Sequence, residues 1–168
     1  MGEDIDGEAA IDQLGRSVSL SSDGTTLAIG ATGNDGNGDC SGHVRVYRWC
    51  SIILAWLQMG EDIDGEAAYD YSGGSVSLSS NGNTLAVGAR YNNGNGNNSG
   101  HVRVYTWDSL NSNWLPMGGD LNGEVAGDFS GDSFSLSSDG VTVAIGARFN
   151  DGNGIVSGHV RVYSVRAA

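Results

Sequence analysis

The sequence predicts an all-β tandem-repeat protein, and three observations carry that prediction. The first is repetition: Met1, Met59 and Met117 open copies of one block at a period of 58 residues, the interval from each of these methionines to the next. Each copy starts with a variant of MGEDIDGEAA, passes through SVSLSSDG and LAIGA, and reaches NDGNG and then SGHVRVY. A fixed period of this kind marks one supersecondary unit that buries its apolar face against a neighbour. The second observation is period-two alternation inside each block. The third is composition: 28 glycines against 1 proline fit glycine-rich turns between short strands. The regular apolar runs set disorder aside.

The second copy shows the elements in order. Ser75–Ser79 alternates serine with Val76 and Leu78, a strand signature. Ser80-Asn81-Gly82-Asn83 follows, and Asn-Gly between alternating runs is a strong hairpin signal. The other copies place Asp23-Gly24 and Asp139-Gly140 there. Thr84–Ala89 returns as the second strand, with Leu85 and Val87 on one face and Ala86 and Gly88 on the other. Each sheet therefore has a bulky face and a small face of serine, alanine and glycine, which suits sheets stacked face to face. After the polar loop Asn92–Ser99, His101–Tyr105 is the third strand, with Val102 and Val104 inward. A turn at Asp108–Asn113 leads to a fourth strand, seen whole in the first copy as Trp56–Ile63.

Four antiparallel strands per repeat, repeated radially, describe a β-propeller blade. The predicted fold is a partial β-propeller of about three such blades, in a single repeat domain over residues 1–168. The repeats are 1–58, 59–116 and 117–168, with blades near 13–63, 71–121 and 129–165. The third blade lacks its last strand unless the N-terminal segment or another chain completes it. Met1–Ile5 reads as the latter part of a fourth strand.

Phe129-Ser130-Gly131, followed by SFSLSSDG and AIGAR, resembles the FG-GAP repeat of integrin-α-type β-propellers. The series SVSLSSDG, LAIGA, NDGNG and SGHVRVY also resembles the FG-GAP-like repeats of large secreted and surface proteins of marine microbes. The resemblance covers nearly the whole chain. It implies an extracellular or cell-surface setting and adhesion, or recognition of protein or carbohydrate, often with calcium. Two departures stand out. The family's calcium loop lies between its first two strands, where this chain has only Ser22-Asp23-Gly24-Thr25 and its equivalents. Family propellers also close with about seven blades, and this chain has three at most.

The charge balance narrows the partners. The formal net charge is −12 and every basic side chain is arginine. Such a surface repels nucleic acid and anionic membrane; the acidity either attracts divalent cations or serves only to keep a repeat protein soluble. The longest apolar stretch, Ile52–Leu57, is far short of the ~20 residues that cross a bilayer. The chain opens on acidic repeat sequence with no signal peptide pattern. The first residue lies inside a repeat, as in a piece of a longer secreted chain; read as a whole product, the start implies no export by the usual route. Cys40 and Cys50 flank a strand-like run and stand roughly 30 Å apart at ~3.3 Å per residue. A disulfide needs Cα atoms within ~7 Å, so none is expected between them.

Two sets of residues are candidate sites. Asp62, Asp64, Glu66 and Asp70 fall at positions one, three, five and nine, as calcium-loop oxygen ligands do. Asp4, Asp6, Glu8 and Asp12 match them, as do Asp120, Asn122, Glu124 and Asp128. The alternative is that these acids edge an inter-blade loop and face water, with Ile63 anchored. The second set lies in the loops Asn34–Gly38, Asn92–Gly96 and Asn150–Gly154. Its members are Asn34, Asp35 and Asn37, Asn92, Asn93 and Asn95, and Asn150, Asp151 and Asn153. A phosphate-binding loop would need a helix to follow, and a strand follows instead. These loops read as turns, or as recognition loops emerging on one rim.

A hydrolase is disfavoured, because no acid, base or nucleophile occurs uniquely outside the repeat pattern. Gly131-Asp132-Ser133-Phe134 looks like an esterase nucleophile block, yet its equivalents make that serine a repeated strand position. His43, His101 and His159 are repeat equivalents too. Trp49, Trp56, Trp107 and Trp114 read as covers of the blade edges, with sugar stacking as the alternative. Asn97-Asn98-Ser99 is a lone glycosylation sequon. The expected function is non-enzymatic recognition of protein or glycan through rim loops, with calcium as the one expected cofactor. The alternative is a structural building block in which incomplete propellers form homo-oligomers.

Overall fold

A computed structural model describes residues 1–165, and it contains the expected all-β repeat. Blade one comprises β1 (Leu14–Leu20), β2 (Thr26–Ala31), β3 (His43–Cys50), β4 (Ala55–Gln58) and β5 (Ile63–Asp64). Blade two comprises β6 (Ser75–Leu78), β7 (Thr84–Ala89), β8 (His101–Asp108), β9 (Asn113–Pro116) and β10 (Leu121–Asn122). Blade three, among the described residues, has β11 (Ser133–Leu136), β12 (Thr142–Ala147) and β13 (His159–Ser164). All named pairings are antiparallel. The fold is a partial β-propeller, and no helix of the described residues is long and apolar enough to cross a membrane.

The fourth strand differs from the expected continuous Trp56–Ile63. It is split: β4 pairs with the Tyr47–Cys50 end of β3, and β5 pairs with His43 and Val44. The chain bulges between them while Met59 N–H holds the Val46 carbonyl at 2.7 Å. Such an interruption is tolerated on an edge strand, where Pro116 of β9 also sits without spoiling a ladder. Residues Met1–Ile5 form no strand. They lie against blade one instead, where Trp56 Nε1 donates to the Met1 carbonyl at 3.2 Å.

The blades stack bulky face to small face. Ala28, Val44 and Val46 of blade one share a core with Leu78, Leu85, Val87 and Tyr105 of blade two. Ala86, Val102 and Val104 of blade two share the next core with Leu136, Val143 and Ile145 of blade three. Both faces of β8 are therefore buried, and Val102 and Val104 point toward the following blade. The serine stripe sits at the boundary as connectors: Ser17 Oγ donates to the Gly73 carbonyl at 2.8 Å, and Ser75 Oγ to the Gly131 carbonyl at 2.7 Å. Ser19 Oγ accepts from Leu78 N–H at 2.9 Å, and Ser77 Oγ from Leu136 N–H at 3.2 Å. The inner strands β1, β6 and β11 stand side by side. Cys40 and Cys50 are free thiols.

Candidate functional site

The asparagine-rich loops are built largely as internal connectors. Asn34 Oδ1 accepts from Gly36 N–H at 2.8 Å, and Asn92 Oδ1 from Gly94 N–H at 2.8 Å. Asn37 Nδ2 reaches the Gly65 carbonyl at 2.8 Å and the Glu66 carbonyl at 3.0 Å, on the segment leading to the next blade. Asn95 repeats this on Gly123 and Glu124, at 2.8 and 2.7 Å. Asp35, Asn93 and Asp151 each accept a backbone N–H from their own loop, from Cys40, Asn98 and Val156. Asn150 lies buried against Asp128, and Asn153 donates its backbone N–H to Ser157. Most of these side chains brace their own loop, and Asn37 and Asn95 tie it to the segment leading to the next blade.

The acidic positions do not gather as a single ion cage. Asp70 is buried, taking Asn92 Nδ2 at 2.9 Å and Ala67 N–H at 3.2 Å. Asp12 and Asp128 take the same bonds from Asn34 and Asn150, at 3.3 and 3.0 Å. Asp62 turns into its own blade and meets Arg45 in two bonds of 2.8 and 2.9 Å. Burial pushes the Asp62 carboxyl up, but the bonds from Arg45 and Gln58 outweigh it and hold the carboxyl below its usual range. Burial raises Asp64. Asp4 and Asp6 are exposed. Among the described residues, no three carboxylates of any one predicted loop come together. The one-three-five-nine spacing therefore does not yield the expected calcium cage, because the loop's carboxylates serve different hydrogen-bond donors.

Two of the repeated histidines are buried at the blade boundary, and His159 is partly exposed. His43 and His101 are each 1% exposed. Burial holds His101 neutral down to about 4. The tryptophans form pairs, Trp49 edge-on to Trp56 and Trp107 tilted against Trp114, with centroids 5.6 and 5.5 Å apart. Trp114 Nε1 donates to the Met59 carbonyl at 3.0 Å, so this pair clamps the segment entering blade two.

A groove missed by the sequence reading opens beside the inner strands. It holds about 510 Å³ and is lined from all three blades: Gln13, Arg16 and Thr32, then Tyr71, Arg90 and Tyr91, then Asp132. Gln13, Tyr71 and Phe129 are repeat equivalents held at φ of 58°, 51° and 53°, in the turn that precedes each inner strand. Four rings run in a row, Tyr71, Tyr91, Phe129 and Phe149, with successive centroids 5.2, 5.4 and 5.3 Å apart. Arg90 lies over the Tyr91 ring and Arg148 over Phe149, at 4.8 and 4.6 Å. Asp132 bridges the two guanidiniums, at 2.5 Å from Arg90 and 3.1 Å from Arg148. The hydrogen bond to Asp132 raises the Arg90 pKa. Arg16 has no ion pair among the described residues. A sequence signal did exist. The copies differ in kind at these positions, as Arg16, Gly74 and Asp132 do, while their strands barely differ.

Comparison with solved structures bears on fold. The chain is similar to the periplasmic gluconolactonase PpgL of Pseudomonas aeruginosa, with TM-score 0.55 and 19% identity over 88% of this chain and 38% of that one. It also matches the hydrazine synthase of Kuenenia stuttgartiensis, with TM-score 0.47 and 14% identity over 88% of this chain and 33% of that one. The chain thus spans well under half the length of either structure. The first likeness corrects the expectation that the chain is no enzyme. A gluconolactonase shares the fold, so a repeated strand serine and repeated histidines are not grounds for excluding catalysis. No curated protein matches the chain. The FG-GAP repeat model matches residues 5–47 and 63–105, half of the sequence. The chain belongs to the FG-GAP repeat family.

Proposed function

We propose that the chain is a recognition module, working outside the cell or at its surface, that takes a glycan in the groove beside the inner strands. The observation that carries this reading is the ring row of Tyr71, Tyr91, Phe129 and Phe149 with Arg90, Arg148 and Asp132 interleaved. Sugar rings lay their C–H faces on aromatic rings, and arginine and carboxylate groups take the hydroxyls. Arg16 at the groove wall adds an uncommitted cation, which favours a sugar bearing a carboxylate or sulfate. Three of the eight basic side chains, Arg16, Arg90 and Arg148, stand around this one region of an acidic chain. A glycan array with neutral, uronate and sulfated arms tests the reading. Acidic-arm binding that weakens about tenfold on Tyr91→Ala supports it; binding unchanged by Tyr91→Ala and Arg16→Ala contradicts it.

A second reading, homo-oligomeric assembly, is favoured by the two outer blade faces. Val18 and Leu20 of blade one are 63% and 56% exposed, whereas their equivalents Val76 and Leu78 pack against blade one. Val160 and Val162 of blade three are 68% and 67% exposed, whereas Val102 and Val104 are covered. These exposed residues are the repeat equivalents of ones that meet at the internal boundaries. A second copy would bring its Gly15 carbonyl to Ser133, as Gly73 meets Ser17. Light scattering tests this. Association abolished by Val162→Glu supports it, and a monomer at high concentration contradicts it.

A further inference from the structure

Around His101 the structure leaves buried polar atoms without hydrogen-bond partners. His101 is 1% exposed, and its Nδ1 has no hydrogen-bond partner. The nearest carboxylate oxygen, Glu66 Oε2, stands 3.8 Å away, beyond a hydrogen bond. Asn122 is the register partner of His101 across β8 and β10, and its buried Oδ1 is also unpartnered. One ligand atom from each of Glu66, His101 and Asp120 lies within 4.8 Å of the other two. An imidazole nitrogen and two carboxylates can be satisfied together by a cation.

Blade one carries the equivalent Glu8, His43 and Asp62, but closes it differently. There Asp62 takes two bonds from Arg45 and a third from Gln58 at 2.7 Å, and Arg45 also pairs with Glu8. In blade two the residue equivalent to Gln58 is Pro116, which offers no donor. Arg103 touches Glu66 Oε1 at 3.4 Å, sends NH2 to the Asp64 carbonyl at 2.7 Å, and leaves its Nε unpartnered. Glu66 Oε2 receives only Asn92 Nδ2, at 3.4 Å. Asp120 is exposed and has no ion pair with arginine among the described residues.

We propose that Glu66, His101 and Asp120 form a binding site for a zinc-class divalent ion in blade two. The donor set of one imidazole and two carboxylates suits zinc and its first-row neighbours better than calcium, which prefers oxygen alone. Ligand bonds of ~2.0–2.2 Å require the donors to draw closer than they stand. Glu66 and Asp120 are exposed side chains on turns and can swing in, while His101 is fixed by β8. Burial keeps the imidazole neutral near pH 7, the state that binds metal. The ion would tie the segment leaving blade one to the outer edge of blade two.

Titration of the full chain with zinc alone, after chelator treatment, tests the site by calorimetry and thermal shift. The expected result is one equivalent of zinc, a raised melting temperature, and cobalt absorption bands characteristic of nitrogen and oxygen ligation. Glu66→Gln and Asp120→Asn are surface changes expected to leave the metal-free melt intact and weaken zinc at least about tenfold. His159→Gln is expected to leave binding unchanged. Absence of a zinc-dependent shift in the parent chain overturns the proposal. So does zinc binding that survives the Glu66→Gln, Asp120→Asn double variant.

Discussion

Gly30 and Gly73 meet backbone to backbone across the boundary of blades one and two: a Cβ on Gly30 would stand 2.0 Å from the Gly73 carbonyl oxygen. The approach lets Ser17 reach that same carbonyl, so the small face is a docking device as well as a spacer. Gly88 repeats it against Gly131, at 2.5 Å. In blade three Gly146 would meet the Ser133 hydroxyl at 2.8 Å, on its own sheet and at an exposed face.

This asymmetry predicts a graded alanine series. Gly30→Ala and Gly88→Ala should each cost about 1–3 kcal/mol or more in urea melts, because rigid backbone blocks the new methyl. Gly146→Ala should change stability by no more than about 1 kcal/mol, since the serine rotamer can yield. Equal losses at all three positions would show that the boundary is not packed as described.

Trp114 provides a second check. Its indole N–H is the buried donor to the Met59 carbonyl, at 3.0 Å. Trp114→Phe strands that carbonyl and should cost about 1–3 kcal/mol. Trp56→Phe breaks the equivalent, exposed bond to Met1 and should cost less than about 1 kcal/mol, because water replaces the donor. Urea denaturation of the two variants reads the difference.

His43 sets an acid-side slope. Burial, chiefly, pushes its pKa below the usual histidine value, with Asp62 opposing and Arg45 assisting. The unfolded chain therefore binds a proton at this residue before the folded chain does. Its contribution is present in full above about pH 6.5 and is lost as pH falls below that value. Melting temperatures followed from pH 7.5 to 5 should decline, and His43→Gln should lessen the decline to the share that His101 contributes. A slope of opposite sign would contradict the neutral, buried imidazole.

The repeat made the strands legible. Val76, Leu78, Leu85 and Val87 alternate as a half-buried hairpin must, and the Asn-Gly and Asp-Gly turns fixed their register. What lay across a repeat boundary was not legible, because a period says which residues are equivalent and not which ones meet. Val102 and Val104 read as an inward face but pack on the next blade. Asn37 and Asn95 read as rim recognition residues, whereas they reach 28 positions ahead to Gly65 and Gly123. The acids at positions one to nine read as one loop, although Asp62 belongs with Arg45 and Glu66 with His101. The groove was not legible for the opposite reason: its residues depart from the repeat, so no periodicity marks them.

The most direct measurement is chemical-shift mapping of the labelled chain with an acidic oligosaccharide selected from the array. The largest amide and side-chain shifts are expected at Tyr71, Arg90, Tyr91 and Asp132, with Arg16 Nε among them. Shifts centred on Asn37, Asn95 and Asn153, with the groove unmoved, would contradict it and return recognition to the rim loops.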